Sequence, residues 1–262
     1  MNCFKFNGTT FSYENYVKFD VTKFAKHVHG EFEFLLFLSG DASYVLEHKK
    51  FALSPNVLVL SKPMQYHFID IHSDSVPYER YCVQFDLTKF PKDVADKINA
   101  LGETLRLDKN SRPYKIIKSM HDYSEVFPPK IYPELYDSLL CELVFSVSLE
   151  GSGNDVNFIE ADEITLKALE FINAHIYEPV SVKAIADGIY ASPSNLCHKF
   201  TKSMQIGVME YVNKKKLTIA DGLLRRGESP VSVAEKLGYQ DYSTFFRGYK
   251  AAFSHSPKSA KN

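Results

Sequence analysis

A pattern of residues written twice, 48 positions apart, constrains this chain more than any other feature. Ser181 precedes apolar Ile185, Ala186 and Ile189; Ser229 precedes Val233, Ala234 and Leu237. A serine side chain accepts from the free amides of a helix start, so each serine reads as a cap. Pro230 falls at the first helical position, where a missing N–H costs nothing. Each helix meets a short break, Tyr190-Ala191 in the first copy and Gly238-Tyr239-Gln240 in the second. A second cap follows, Ser192 before Pro193 and Asp241 before Tyr242. Then comes a core pair four residues apart, Leu196 with Phe200 and Phe245 with Tyr249. Helices joined by so short a turn must cross steeply over a small shared core. That is a helix-turn-helix, whose second helix can enter a major groove. Any packed helix pair mimics one copy; two copies at matched spacing are far more specific.

The 100° step of a helix says which residues face out. With Leu196 and Phe200 inward, Ser194 and His198 point outward, flanked by Asn195, Thr201 and Lys202. In the second copy Ser243 and Arg247 point outward, with Tyr242, Thr244 and Lys250 beside them. Arg247 can meet guanine with two bonds, and the Ser, Thr and Asn side chains suit base edges or phosphates. Taken singly, each is also an ordinary exposed polar residue. Charge adds a second line of evidence. The formal net charge of −1 hides an asymmetry, because from Asn195 onward 12 basic residues stand against 5 acidic ones. A basic C-terminal end suits phosphate.

The chain has 262 residues, 45% hydrophobic and 24% charged, the make-up of a folded soluble protein with room for two domains. No apolar run approaches a membrane span, and the start MNCFKFNGTTF lacks a secretory pattern. Cys3, Cys82, Cys141 and Cys197 are scattered, which fits a reducing cytoplasm and argues against a disulfide framework or a cysteine zinc cluster.

The first ninety residues read as strands: Phe32–Leu38, Ser43–Glu47, Phe51–Leu53, Val57–Leu60, Tyr66–Ile69 and Tyr78–Phe85, closed by turn signals such as Ser39-Gly40. Short runs at this spacing predict an antiparallel barrel or sandwich. Helical spacing then takes over, at Ile116, Ile117, Met120, Tyr123 and Phe127, and again from Leu135 to Val147, with Pro128-Pro129 between. Glu150–Asn157 reads as a linker, and everything beyond it as helix. The expected class is α+β, with an N-terminal domain over 1–150 and an all-α domain over 158–262.

The stretches SVKAIADGIYASPSNLCHKF and SVAEKLGYQDYSTFFRGYKAAFSHSP, with Val208–Val212 between them, resemble the DNA-binding domain of AraC/XylS regulators over roughly 160–258. The resemblance implies seven helices, with one long helix near Gly207–Leu224 holding two DNA-reading helices. The sequence departs from the family pattern at Gln205 and Ser254, where glycine is usual, at Lys216 for Arg, and at Ala260 for Tyr.

In the N-terminal domain His27, His29, Glu33 and Gly40, followed by His67, resemble the first cupin motif with part of the second, over roughly 20–85. Such side chains line a barrel mouth, and three imidazoles with a carboxylate suit Fe, Mn, Ni or Zn. Pro63–His67 lacks the second motif's glycine and is one residue short. The expectation is therefore a metal-free site, in which His27, His29, Glu33, Tyr66 and His67 contact a small organic molecule. Tyr44 and Arg80 are further candidates for the lining. A plain hydrogen-bond network is the duller alternative.

The expected protein is a cytoplasmic transcription regulator, not an enzyme, with no catalytic residues and no cofactor. It would bind double-stranded DNA and a small effector such as a sugar, act as a homodimer through the helices near 113–149, and have RNA polymerase as a further partner. The alternative is a cupin metalloenzyme with a DNA-binding tail. A cysteine-based alkyl-transfer regulator is disfavoured by the scattered cysteines.

Overall fold

The computed structural model describes residues 2–17, 26–73, 75–151 and 156–261. Within these, strands β1 (Asn2–Phe6), β2 (Thr9–Tyr16), β3 (Phe32–Ser39), β4 (Asp41–Leu46), β5 (Lys49–Ala52), β6 (Val57–Ser61), β7 (His67–Ser73) and β8 (Tyr78–Phe85) build two antiparallel sheets. A short strand β9 (Thr104–Arg106) ends the larger sheet, whose order is β1-β2-β8-β3-β6-β9. The smaller sheet runs β10-β5-β4-β7, where β10 is Phe158–Glu160.

The run FEFLLFL in β3 is nearly all apolar because both of its faces are covered. Leu35 and Phe37 point between the sheets, against Tyr44, Phe51 and Ile69. Phe34 and Leu36 point outward, onto helices α2 (Arg112–Val126) and α3 (Tyr132–Val147), where Ile116, Met120, Tyr136 and Leu140 receive them. Helix α1 (Lys92–Ala100) adds Val94 and Ile98 to the same core. Each such side chain, fully buried, contributes about 1.5–3 kcal/mol before entropy is counted. Glu33 interrupts this run on the inward face.

Beyond the linker, of which residues 152–155 lie outside the described set, the chain is not all helical as the sequence suggested. β10 pairs antiparallel with β5, Phe158 opposite Phe51 and Ile159 opposite Lys50. It satisfies the open edge of β5, and three residues are too few to leave a periodic trace. Helices α4 (Glu163–Ala174), α5 (Val182–Gly188), α6 (Pro193–Met204), α7 (Val208–Arg225), α8 (Pro230–Lys236) and α9 (Tyr242–Phe253) follow, with a 3-10 turn at Pro257–Lys261 in the place of a seventh helix. The four capping residues act as their positions imply. Ser181 accepts from the Ala184 amide, Ser192 from Asn195, Ser229 from Ser232, and Asp241 from Ser243 and Thr244.

The helices form two cores. Leu196, Phe200, Ile185 and Tyr211 belong to the first, which also takes in Val45, Tyr66 and Phe68 of the barrel. Phe245, Tyr249, Val233, Leu237 and Leu224 belong to the second. α7 contributes to both, so it is the rod on which the two helix-turn-helix units are mounted. The outer face of the smaller sheet is covered by the first unit.

Candidate functional site

His27, His29, Glu33 and His67 come from three separate pieces of chain and meet at one end of the barrel. One ligating atom from each lies within 4.8 Å of all the others. Glu33 arrives on β3 and His67 begins β7. The segment bearing His27 and His29 is tied in by a bridge in which the His27 amide donates to the His67 carbonyl at 3.2 Å and the His67 amide to the His27 carbonyl at 3.0 Å. The motif's Gly40 sits in the tight β3–β4 connection at φ 129, where a Cβ would lie 3.1 Å from the Tyr78 ring.

Glu33 is 3% exposed, so its carboxylate must be satisfied from within. Tyr44 Oη donates to Oε1 at 3.1 Å, and Gln84 Nε2 to Oε2 at 2.9 Å. His29 Nε2 lies 3.4 Å from Oε2 and His67 Nε2 3.8 Å from Oε1. Tyr44 also shares a hydrogen bond with Ser61 at 2.8 Å. Burial alone would push the Glu33 carboxyl up; the His29 hydrogen bond and the fields of His67, His29 and His27 outweigh it and hold the group well below the usual range. Burial pushes the His67 imidazole down to about 3, against the pull of Glu33. In His29 burial opposes the charge, but the hydrogen bond and charge of Glu33 prevail and raise it.

The ring nitrogens are fixed from behind. His67 Nδ1 lies 2.8 Å from the Gln65 carbonyl and His29 Nδ1 3.0 Å from the Glu31 carbonyl. A carbonyl can only accept, so both Nδ1 atoms carry hydrogen and both Nε2 atoms face Glu33. His67 Nε2 is buried and has no hydrogen-bond partner among the described residues.

Tyr66, expected beside these residues, is a correction. Its ring is buried against Phe68 and Tyr211, and its hydroxyl donates to the Met204 carbonyl at 3.2 Å. The side chain next to His67 along the chain points to the opposite face, and that face is covered by the first helix-turn-helix unit. Arg80 lies further along the barrel, paired with Glu14 at 3.0 Å. Gln84 and Ser61 were missed. Their signal was a polar residue at or next to the end of an apolar strand, YCVQF and VLVLS.

On the helical side, Ser194, Asn195 and His198 are exposed near the start of α6, and Ser243, Thr244, Arg247 and Lys250 along α9. Tyr242 is half-buried, its ring 5.9 Å from Phe245, which limits it to an edge contact. Lys202 sits at the last turn of α6, bordering a cleft of about 160 Å³ with Glu47, His48 and Lys50 of the barrel. Thr201 and Lys202 are exposed as well, but Lys202 lies at the barrel-facing end of the helix. No described helix is long and apolar enough to cross a membrane.

Two family models match. An AraC-like ligand binding domain covers residues 16–124 and a helix-turn-helix domain covers 185–262. Among curated relatives, the regulatory protein PocR of Salmonella typhimurium is 29% identical over 93 residues, 35% of this chain and 31% of that protein. The HTH-type transcriptional regulator YdiP of Escherichia coli is 25% identical over 151 residues, 55% of this chain and 50% of that one. The regulatory protein SoxS of Salmonella typhimurium is 28% identical over 96 residues, 36% of this chain and 90% of its own. The chain thus spans half or less of the length of PocR and YdiP. A crystal structure of apo ToxT from Vibrio cholerae superposes with TM-score 0.41 at 17% identity over 96% of each chain. With one model on the barrel and the other on the paired helix-turn-helix units, the chain belongs to the AraC family.

Proposed function

We propose that this protein is a cytoplasmic, sequence-specific DNA-binding transcription regulator whose barrel, within residues 1–150, binds a small molecule that sets the behaviour of the DNA-binding helices within 158–262. The observation that carries the reading is the pair of capped helix-turn-helix units mounted on one helix, each with exposed polar residues on its second helix. Ser194, Asn195 and His198 read or grip one groove segment, with Lys202 at its margin. Ser243, Thr244, Arg247 and Lys250 serve the next, with Tyr242 at its edge. The two segments are about one turn, roughly 34 Å, apart.

The chain acts as a regulator rather than an enzyme, with RNA polymerase as a further partner at the promoter. It pairs as a homodimer through the helices that back the barrel, where Val126, Phe127, Phe145 and Leu149 remain exposed outside the α2–α3 core. Binding of the full chain to a duplex from its own promoter region, measured across a salt series, tests the reading. The expected result is sequence-selective binding that weakens steeply with salt, because phosphate contacts release counterions. Equal binding to unrelated duplexes, or affinity indifferent to salt, overturns it.

A further inference from the structure

We propose that His27, His29, Glu33 and His67 bind one divalent transition-metal ion, and that the ion forms part of the signal passed from the barrel to the DNA-binding helices. Only the second half rests on the chain being a ligand-controlled regulator.

The four ligating atoms lie within 4.8 Å of one another. Around an ion with bonds of about 2.1 Å, ligand atoms stand about 3.4 Å apart in a tetrahedron and about 4.2 Å apart across an octahedron, so the cluster must close by about 0.6–1.4 Å. His67 Nε2 is a buried lone pair with no hydrogen-bond partner among the described residues. Backbone carbonyls hold Nδ1–H of His67 and of His29, which is how metal-binding imidazoles are oriented. Glu33 is held in turn by Tyr44 and Gln84. Three nitrogens and one carboxylate select first-row divalent transition ions over calcium or magnesium, which want oxygen.

The sequence argued against a metal because Pro63–His67 lacks a glycine and is one residue short. The structure removes that objection. Met64 takes the left-handed conformation itself, at φ 68, and the chain still delivers His67 to the cluster. The missing glycine costs backbone strain, not the site.

The same segment reaches the DNA-binding half. His27 and His29 face the cluster, and Val28 between them packs against the core of the first helix-turn-helix unit. The Val28 carbonyl accepts from Thr218 of α7 at 3.2 Å, the hydroxyl also reaching the Lys214 carbonyl at 3.0 Å. An ion that draws His27 and His29 inward moves Val28 against the helix that carries both DNA-reading units.

The test uses the full chain, stripped with chelator and desalted, and titrated calorimetrically with Zn²⁺, Mn²⁺ and Ni²⁺ in turn. One ion per chain is expected for at least one metal, with affinity falling at least about tenfold in Glu33→Gln and in the less buried His29→Gln. Circular dichroism confirms that each variant is folded, and His29→Gln remains informative should Glu33→Gln unfold. No binding tighter than about 100 µM with any of the three metals overturns the site, as do folded variants that bind like the parent. Promoter-duplex affinity is then measured with and without the bound metal. A shift of threefold or more, lost in His29→Gln, is the expected result, and an unchanged affinity overturns the coupling. Metal-free protein that still binds the duplex selectively shows that such a failure belongs to the metal and not to the DNA-binding reading.

Discussion

The Tyr211 hydroxyl donates to the Glu47 carboxylate at 2.7 Å, joining α7 to the turn between β4 and β5. The same carboxylate accepts from the Tyr66 amide at 2.9 Å and pairs with Lys215 at 3.0 Å. Glu47 is therefore the polar hub of a contact that otherwise buries Val45, Tyr66 and Phe68 under the first helix-turn-helix unit. Removing one partner of a shielded ion pair strands the other. Here Lys215 keeps the Asn173 side chain at 2.9 Å, which moderates the loss. Glu47→Ala is expected to cost about 2 kcal/mol. Urea unfolding should then resolve separate barrel and helical transitions, where a single one is expected for the parent.

Lys216 plays the corresponding part between the two helix-turn-helix units. Its buried ammonium donates to the Glu178 carbonyl at 2.6 Å and to the Leu237 carbonyl at 2.7 Å, and burial pushes its pKa down. Beside it Gly238 adopts φ 70, and a Cβ there would lie 2.7 Å from the Glu178 and Pro179 backbone. Lys216→Met leaves two carbonyls without their donor and should lose about 2–3 kcal/mol of stability, whereas Lys216→Arg, which restores the residue usual in the family, should lose far less. Gly238→Ala should be at least as harmful as Lys216→Met, because the strain and the clash act together. Thermal melts of the three variants check the order.

Gln205 and Ser254 cap α6 and α9 in the left-handed conformation, at φ 53 and φ 61. Glycine adopts that conformation without a Cβ penalty, so Ser254→Gly should stabilise the protein by about 0.5–1 kcal/mol. Gln205→Gly should gain less, because the Gln205 side chain also helps hold the Asp70 carboxyl below its usual range across the domain contact. Equal gains at both positions would show that this interaction contributes nothing.

What could be read from the sequence follows from which signals are local. Caps, short turns and i, i+4 pairs are set within a dozen residues, so both helix-turn-helix units were legible down to Ser192 and Asp241. His27, His29 and Glu33 were legible as a spacing. The Asn7-Gly8 hairpin between β1 and β2 carried a turn signal as well, with both residues at positive φ, and was overlooked. Other features were not legible at all. That Tyr66 faces α7 while His67 faces Glu33 depends on which side of β7 is covered by a domain more than a hundred residues away. The Glu47, Tyr211 and Lys215 hub likewise joins groups with no sequence relation. The pairing of β10 with β5 depends on an open sheet edge rather than on any preference of Phe158–Glu160.

Arg247 and Lys250 share a helix but should do different work. Arg247 is exposed between core residues Phe245 and Tyr249, so it projects straight away from the second core. Its planar fork can meet two guanine acceptors at once. Lys250 is exposed in the last turn of α9, just past Tyr249, and presents a point charge from the helix flank. Arg247→Ala should therefore cost about 1–3 kcal/mol and relax the preference at one base position. Lys250→Ala should weaken all duplexes alike and flatten the salt slope by about one unit. Binding to a panel of single-base operator variants, at two salt concentrations, separates the two roles. If Arg247→Ala lowers affinity equally across the panel, Arg247 grips phosphate, and base reading by this unit passes to Ser243 and Thr244 at the other end of the helix.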